Sequence, residues 1–453
     1  MIKLDVLIIG AGTAGEYAAG TAKQYADSIG MIEKGPVGGD CIFHACIPTK
    51  ALVHAARAYK KMKSADFYGL PRLDNSVEYK KVKAFKDGII SGIATGRDER
   101  WVKRGIQVFS GNARFISPNE IQVADEVVKA DKIIVTTGSM PAIPPIPGLK
   151  ETGYITNVEA LDLENVPERL AIIGGGPIGV EFAQIFAAFG SKVHIYEAFD
   201  RIMVGEDEDI SIAMMGFFEK QGVSVSTSVV VNSVESTSAG KLIVTKGPNG
   251  QEKKAEYDDV LVATGRRPAI DDLDLPVAGI EAGKKGITVD ASLQTSVPHI
   301  WAAGDVTGMI LFTFVAGEQG KTAVMNAIGG KRIELTYDIL PRATFCDPEV
   351  ASVGLTERQA QDKGYCVKSG KYDYANLTLA IVSGETDVFI KIVAEEGSGR
   401  ILGGHIVGVE ASSLIHEVAA GMAGELSVSD IGNTLHAYPT LSEGVRYACQ
   451  AIM

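Results

Sequence analysis

Asp5-Val6-Leu7-Ile8-Ile9-Gly10-Ala11-Gly12-Thr13-Ala14-Gly15 decides how the chain begins. A strand-like apolar run enters Gly10-x-Gly12-x-x-Gly15, a helix-like stretch follows, and a second strand pattern ends at Glu33, 18 residues beyond Gly15. Each glycine has a task in a dinucleotide-binding turn. Gly10 allows the tight bend, Gly12 lets backbone approach a pyrophosphate, and Gly15 lets helix pack on strand. The helix N-terminus offers an anion site, and Glu33 is placed to accept from ribose hydroxyls. One such match is weak, because any glycine-rich turn can imitate it. The pattern returns, however, after Leu170-Ala171-Ile172-Ile173, as Gly174-x-Gly176-x-x-Gly179, and Glu197 again stands 18 residues past the third glycine. Two copies in register predict two dinucleotide sites in an α/β chain.

Between the copies lies Gly38-Gly39-Asp40-Cys41-Ile42-Phe43-His44-Ala45-Cys46-Ile47-Pro48-Thr49-Lys50. Four residues separate Cys41 from Cys46. That spacing fits one helical turn, so the pair can pass between dithiol and disulfide with a small adjustment. The bland alternative is a pair of buried helical cysteines.

Composition narrows the field. At 453 residues, 46% hydrophobic and 22% charged, the chain reads as a soluble globular protein of two to four domains. A net charge of −12 gives no attraction for nucleic acid or an anionic membrane, so small molecules are the expected partners. The five cysteines, at 41, 46, 346, 366 and 449, are too few and too scattered for a disulfide framework. None forms a C-x2-C pair, no metal site is expected, and a cytoplasmic setting follows. Asp5 interrupts the N-terminal apolar run, which reads as a strand and not a signal peptide. No stretch approaches the roughly 20 apolar residues of a membrane span.

With the cysteine segment placed after the first fingerprint, the chain resembles the FAD-dependent pyridine nucleotide-disulfide oxidoreductases, among them dihydrolipoamide dehydrogenase, glutathione reductase and mercuric reductase. Further landmarks follow the family's order: Thr136-Thr137-Gly138-Ser139, then Leu261-Val262-Ala263-Thr264-Gly265-Arg266-Arg267-Pro268, then Trp301-Ala302-Ala303-Gly304-Asp305. The resemblance implies two Rossmann-like domains and a C-terminal α+β dimerisation domain, with an FAD-binding domain over 1–148 and an NAD(P)-binding domain over 149–268. A central segment over 269–336 would complete the FAD site, and a dimerisation domain would fill 337–453. FAD belongs with Gly10, Gly12, Gly15, Glu33, Gly39, Thr137, Gly138, Gly265, Arg266, Gly304 and Asp305, where Asp305 would accept from the ribityl chain. The nicotinamide cofactor belongs with Gly174, Gly176, Gly179 and Glu197. Glu197 favours the free hydroxyl of NAD over the phosphate of NADP, while Arg201 bears the other way. The prolines at 141, 144, 145 and 147 read as a stiff linker. Strand-like runs from Asp387 to Val393 and Ile401 to Val409, then a helix-like Ser413 to Ala423, are expected in the last domain.

By the same resemblance Cys46 is the thiol beside the flavin and Cys41 the thiol that exchanges with a disulfide substrate. Lys50 and Glu181 would pair near the ring, and a homodimer would bring Tyr438 and Glu443 of the partner to the cysteines. Two departures stand out. Pro177 suits the first turn of a helix and cannot act as the aromatic lid of glutathione reductase. In His436-Ala437-Tyr438-Pro439-Thr440-Leu441-Ser442-Glu443, Tyr438 replaces the histidine that serves as base in dihydrolipoamide dehydrogenase. A phenol with a reference pKa of about 10 is a poor base at neutral pH, which leaves His436 and His44 as candidates, the latter with a plain packing role as its alternative. Tyrosine there matches mercuric reductases, yet Cys449-Gln450-Ala451-Ile452-Met453 lacks their vicinal cysteine pair. The expected activity is NAD-linked oxidoreduction of a small dithiol, disulfide or lipoyl group, with metal-ion reduction second and a quinone diaphorase third.

Overall fold

The computed structural model describes residues 1–73 and 75–453. They form two compact units, 1–51 with 83–143 and 265–335, and 52–82 with 144–264 and 336–453.

The first unit is built on a seven-stranded sheet. Its path runs Gln107–Ser110, Ile29–Glu33, Ile2–Ile9, Glu126–Val135, Glu120–Val123, Ala113–Ser117, and Ile300–Ala302 joins Glu126–Val135. Ile2–Ile9 is buried over its last four residues, as a strand covered on both faces must be. Register does the positioning. Ile9 pairs with Ile32 and with Val135, and Val135 pairs with Ala302, all in parallel. The segments that follow these strand ends therefore emerge side by side: Gly10 to Gly15, Glu33, Thr136 to Gly138, and Gly304-Asp305. Ligands of open α/β sheets bind at such a row of carboxyl ends. The helix Thr13–Ala22 packs on Thr313–Ala327, with Gly320 lying against the carbonyl of Ala14, where no side chain fits.

The second unit repeats the parallel arrangement. Its four-stranded sheet runs Ser224–Ser226, Lys192–Tyr196, Arg169–Ile173, Asp259–Val262, and Ile173 pairs with both Tyr196 and Val262. A three-stranded antiparallel sheet, Val230–Thr237, Gly240–Lys246 and Glu252–Tyr257, accompanies it. The rest is a five-stranded antiparallel sheet: Arg342–Thr344, Glu349–Gly354, Ile401–Gly408, Phe389–Glu395, Val367–Asp373. The helices Ala411–Ala423 and Glu443–Gln450 pack on it. The runs expected from Asp387, Ile401 and Ser413 are thus strand, strand and helix, with ends moved by one or two residues. The proline linker differs. Pro141 belongs to a short strand, Ser139–Pro141, paired with Arg266–Pro268, because a two-stranded ribbon, all edge, tolerates a missing donor. Among the described residues no helix is long and apolar enough to cross a membrane.

Lys391, buried inside Phe389–Glu395, fastens the antiparallel sheet to the nucleotide-binding part of its unit. Its ammonium meets Asp207 at 2.9 Å, Asp209 at 3.0 Å and Glu357 at 2.8 Å. Asp207 also caps the helix Glu208–Lys220 by accepting from Asp209 N. Burial opposes ionisation of Asp207, but the hydrogen bond from Lys391 and the charges of His405 and Lys391 hold its carboxyl below the usual range. A folded-state value below the unfolded one means this stabilisation is present at neutral pH and lost as pH falls through it. Lys391→Met leaves a buried carboxylate unpaired and is expected to cost about 3 kcal/mol, read as a lower urea midpoint at pH 7 with the difference shrinking in acid.

Candidate active site

Both fingerprint carboxylates are used in the same way. Glu33 accepts from Ala11 N at 2.7 Å and Gly35 N at 2.9 Å. Glu197 accepts from Gly175 N at 2.7 Å and Phe199 N at 2.8 Å. Each therefore ties its own strand end to its own glycine turn. Gly10 and Gly174 have φ of 104° and 111°, and a side chain on Gly15 or Gly179 would strike the carbonyl of Gly10 or Gly174. Gly12 and Gly176 stand at the N-caps of Thr13–Ala22 and Pro177–Ala188, leaving both helix ends open to an anion. Pro177 is the first helical residue, as expected.

Beside the first turn lies a cavity of about 80 Å³, lined by Gly10, Glu33, Gly111, Asn112, Thr137 and Asp272 among others. The Thr137 hydroxyl is buried without a hydrogen-bond partner. A buried polar atom with no partner requires one. A dinucleotide with ribose and phosphate oxygens fits this need, so the residues present suit FAD.

The redox segment packs directly on that turn. Gly38 N donates to Ala11 O at 2.9 Å, and a Cβ on Gly39 would lie 2.6 Å from Gly12 Cα. Gly38 and Gly39 have φ of 125° and 66°, which glycine alone adopts without strain. The cysteines do not share a continuous helix. Cys41 lies in Gly39–Phe43, the backbone breaks at His44, and Cys46 opens the 18-residue helix Cys46–Lys63. The break replaces the expected single turn and puts Cys46 at a helix N-terminus, where the backbone dipole favours a thiolate.

The electrostatics separate the two sulfurs. Hydrogen bonding from Cys41 pulls the Cys46 thiol down to about 6 against the cost of burial, helped by Thr313 and the charge of Lys50. Cys46 Sγ lies 3.2 Å from Thr313 Oγ1. Cys41 moves upward, because it is the proton donor to Cys46 and is partly buried. One thiolate shared with one thiol is the arrangement.

Asp305 is reached through a polar chain. Ser139 Oγ donates to Asp305 at 2.6 Å, Arg266 Nε donates to Ser139 Oγ at 2.7 Å, and an Arg266 terminal nitrogen donates to Asp40 at 2.5 Å. Burial raises the Asp305 carboxyl while the Ser139 hydroxyl opposes it. Gly138 and Gly265 flank this chain with positive φ.

In the second unit Glu181 is buried and accepts from Phe345 N at 2.8 Å. Arg201 turns back on its own loop, donating to Val204 O at 3.0 Å and Glu206 O at 3.4 Å. Tyr438 is 71% exposed and donates to Thr378 Oγ1 at 3.2 Å. Glu443 is buried and accepts from Thr440 N at 3.1 Å and Tyr447 OH at 3.3 Å. His436 meets Glu417 at 2.8 Å through Nε2 and Thr434 O at 3.0 Å through Nδ1. Cys449 is buried, its thiol pushed up to about 12 by burial and the charge of Glu417.

Asp40, Ser139 and Thr313 escaped the sequence reading. The first two sit inside quoted motifs, beside Cys41 and Gly138, and their polarity was the available signal. Thr313 lies far along the chain in an apolar stretch and gave none.

A fold that lines two dinucleotide turns at sheet ends and holds a dithiol against one of them defines a flavin- and nicotinamide-dependent oxidoreductase. Comparison with known proteins agrees. Residues 4–327 match the family described as pyridine nucleotide-disulphide oxidoreductase, and 340–449 match its dimerisation domain. Dihydrolipoyl dehydrogenase of Chlamydia muridarum is 37% identical over 97% of this chain and 94% of that protein. Mercuric reductase of Staphylococcus aureus is 34% identical over 98% of this chain and 81% of its own. The solved HOCl-induced flavoprotein disulfide reductase RclA of Escherichia coli superposes with a TM-score of 0.89 at 28% identity, covering 99% of this chain and 100% of that one. The chain belongs to the pyridine nucleotide-disulphide oxidoreductase family and is an FAD-dependent enzyme of that class.

Thr313 offers a direct check on the sulfur electrostatics. In the reduced protein the thiolate absorbance in the ultraviolet should reach half its amplitude near pH 6. Thr313→Val removes a hydrogen bond to the charged sulfur and is expected to move that midpoint upward by about one pH unit.

Proposed function

We propose that the enzyme is an NAD-linked dithiol–disulfide oxidoreductase of dihydrolipoamide dehydrogenase type, working on a small disulfide, dithiol or lipoyl group. The observation that carries this reading is the dithiol itself: Cys41 in Gly39–Phe43 precedes Cys46 at the start of Cys46–Lys63, where the Cys46 sulfur lies 3.2 Å from Thr313 Oγ1. When bound, FAD exchanges two electrons with the nicotinamide and with the dithiol. The chain's own residues do the rest. Cys41, partly exposed, is the sulfur that meets substrate. Cys41, Thr313 and Lys50 keep the Cys46 sulfur ionised, ready to close the disulfide and release product. Glu33, Thr137, Gly138 and Asp305 hold the flavin nucleotide, while Lys50 is the cation beside its ring.

NAD is favoured over NADP because Glu197 follows the second strand of its unit, where a carboxylate accepts from ribose hydroxyls and repels a phosphate, and one terminal nitrogen of Arg201 turns back to the Val204 and Glu206 carbonyls. The domain division over 1–148, 149–268, 269–336 and 337–453 belongs to this reading. So do a cytoplasmic setting and a homodimer in which Tyr438 and Glu443 approach the partner's cysteines. Leu435, 87% exposed, and Tyr438 are large groups left uncovered on the dimerisation domain, as interface residues are in a lone chain.

Metal-ion reduction is the second reading, supported by the mercuric reductase relative and by Tyr438. Two thiols can hold a soft cation. Cys449 speaks against it, since a buried thiol of raised pKa is a poor metal ligand.

Steady-state assays of the FAD-loaded enzyme decide between them. NADH with lipoamide should turn over, Cys41→Ser should abolish it, and NADH should exceed NADPH in kcat/KM by about tenfold or more, a difference of about 1.4 kcal/mol. Turnover of Hg(II) in excess thiol without lipoamide activity would favour the metal reading.

A further inference from the structure

Asp40 and His44 bracket Cys41, one at each end of the helix Gly39–Phe43. His44 Nδ1 lies 3.4 Å from Asp40 Oδ1, and His44 N donates to Asp40 O at 2.8 Å. The other Asp40 oxygen is held by Arg266 at 2.5 Å, and Arg266 is itself fixed by Ser139 Oγ at 2.7 Å and Ser139 O at 2.9 Å. A carboxylate clamped by a guanidinium cannot swing away, so it sets the orientation of the imidazole four residues on. Burial opposes the charge of Asp40, but hydrogen bonding from His44 and the Arg266 charge keep its carboxyl below the usual range. A carboxylate on one ring nitrogen is the arrangement that lets the imidazole take and give a proton at the other. The His44 side chain is 45% exposed, and Cys41 beside it is partly exposed, so the same segment presents sulfur and imidazole to solvent. The C-terminal candidates are placed differently: Tyr438 is a phenol bonded to Thr378, and His436 is engaged at both nitrogens.

We propose that His44, oriented by Asp40, is the acid–base group of the dithiol; the inference rests on the disulfide reading above. His44 takes the proton of Cys41 as Cys41 Sγ attacks one sulfur of the substrate disulfide. A bond forms between Cys41 and that sulfur, the substrate S–S bond breaks, and the proton passes from the imidazolium to the departing sulfur, giving a thiol. Cys46 thiolate then attacks Cys41 Sγ, forming the Cys41–Cys46 disulfide and expelling the second substrate sulfur as thiolate. Two protein sulfurs are oxidised, two substrate sulfurs are reduced, and the single negative charge moves from Cys46 to product. Arg266, Asp305 behind Ser139, and Lys50 are the other charges disposed around the segment. Asp40 is a positioning residue.

The test uses the full-length, FAD-loaded enzyme with NADH and two probes, lipoamide and 5,5′-dithiobis(2-nitrobenzoate). The aryl disulfide releases a thiolate that needs no proton. His44→Gln should lower kcat for lipoamide by about 100-fold or more, within the usual reach of general acid–base catalysis, and lower it by clearly less for the aryl disulfide, which still needs the Cys41 proton removed but not the departing sulfur protonated. Imidazole added to His44→Ala should restore part of the lipoamide rate, which a merely structural role would not allow. Equal losses on both probes, or no selective loss with His44→Gln while Tyr438→Phe shows one, would overturn the assignment. Wild-type enzyme that reduces neither probe yet oxidises NADH with a quinone would overturn the disulfide reading itself, and the role of His44 with it.

Discussion

Gly39 lies so close to Gly12 that a side chain on it would come within 2.6 Å of the Gly12 backbone, and Gly38 gives its amide to Ala11. The rest of the site depends on this contact. It seats the dithiol on the turn that receives a dinucleotide, with Asp40 close enough to Arg266 to be clamped. The contact is possible because two glycines accept positive φ in succession and a third presents bare backbone. Any side chain at Gly39 would push the redox helix off the nucleotide turn.

The parallel register supplies the other half. Ile9, Val135 and Ala302 end level with one another, so segments separated by more than a hundred residues converge without long loops. Ser139 and Asp305 meet for this reason, and Thr313 reaches Cys46 from the segment just beyond. The second unit uses the same device once more for Gly174 and Glu197, then devotes its remaining chain to an antiparallel sheet held by Lys391.

Much of this was legible in the sequence where the signal was local. The glycine turns, and the strand-end positions of Glu33 and Glu197, lie where the local pattern puts them because turn, helix and strand end belong to one short unit whose geometry is set by φ and reach. The cysteine pair was legible as a pattern but not as a conformation: the spacing does not reveal the helix break at His44 between Gly39–Phe43 and Cys46–Lys63. The turn of one Arg201 terminal nitrogen back to the Val204 and Glu206 carbonyls is a loop conformation that the sequence does not reveal. Thr313, Arg266 with Asp40, and Glu417 with His436 are partners across long sequence separations, and nothing in either segment alone announces the other.

Differential alkylation of the FAD-loaded enzyme with peptide mass mapping, before and after anaerobic NADH, tests the central claim most directly. Before reduction, the peptide carrying Cys41 and Cys46 should resist alkylation under denaturing conditions and be lighter by the mass of two hydrogens; after NADH it should take two alkyl groups. Free, alkylatable Cys41 and Cys46 in the oxidised enzyme, or a disulfide that NADH leaves intact, would contradict it.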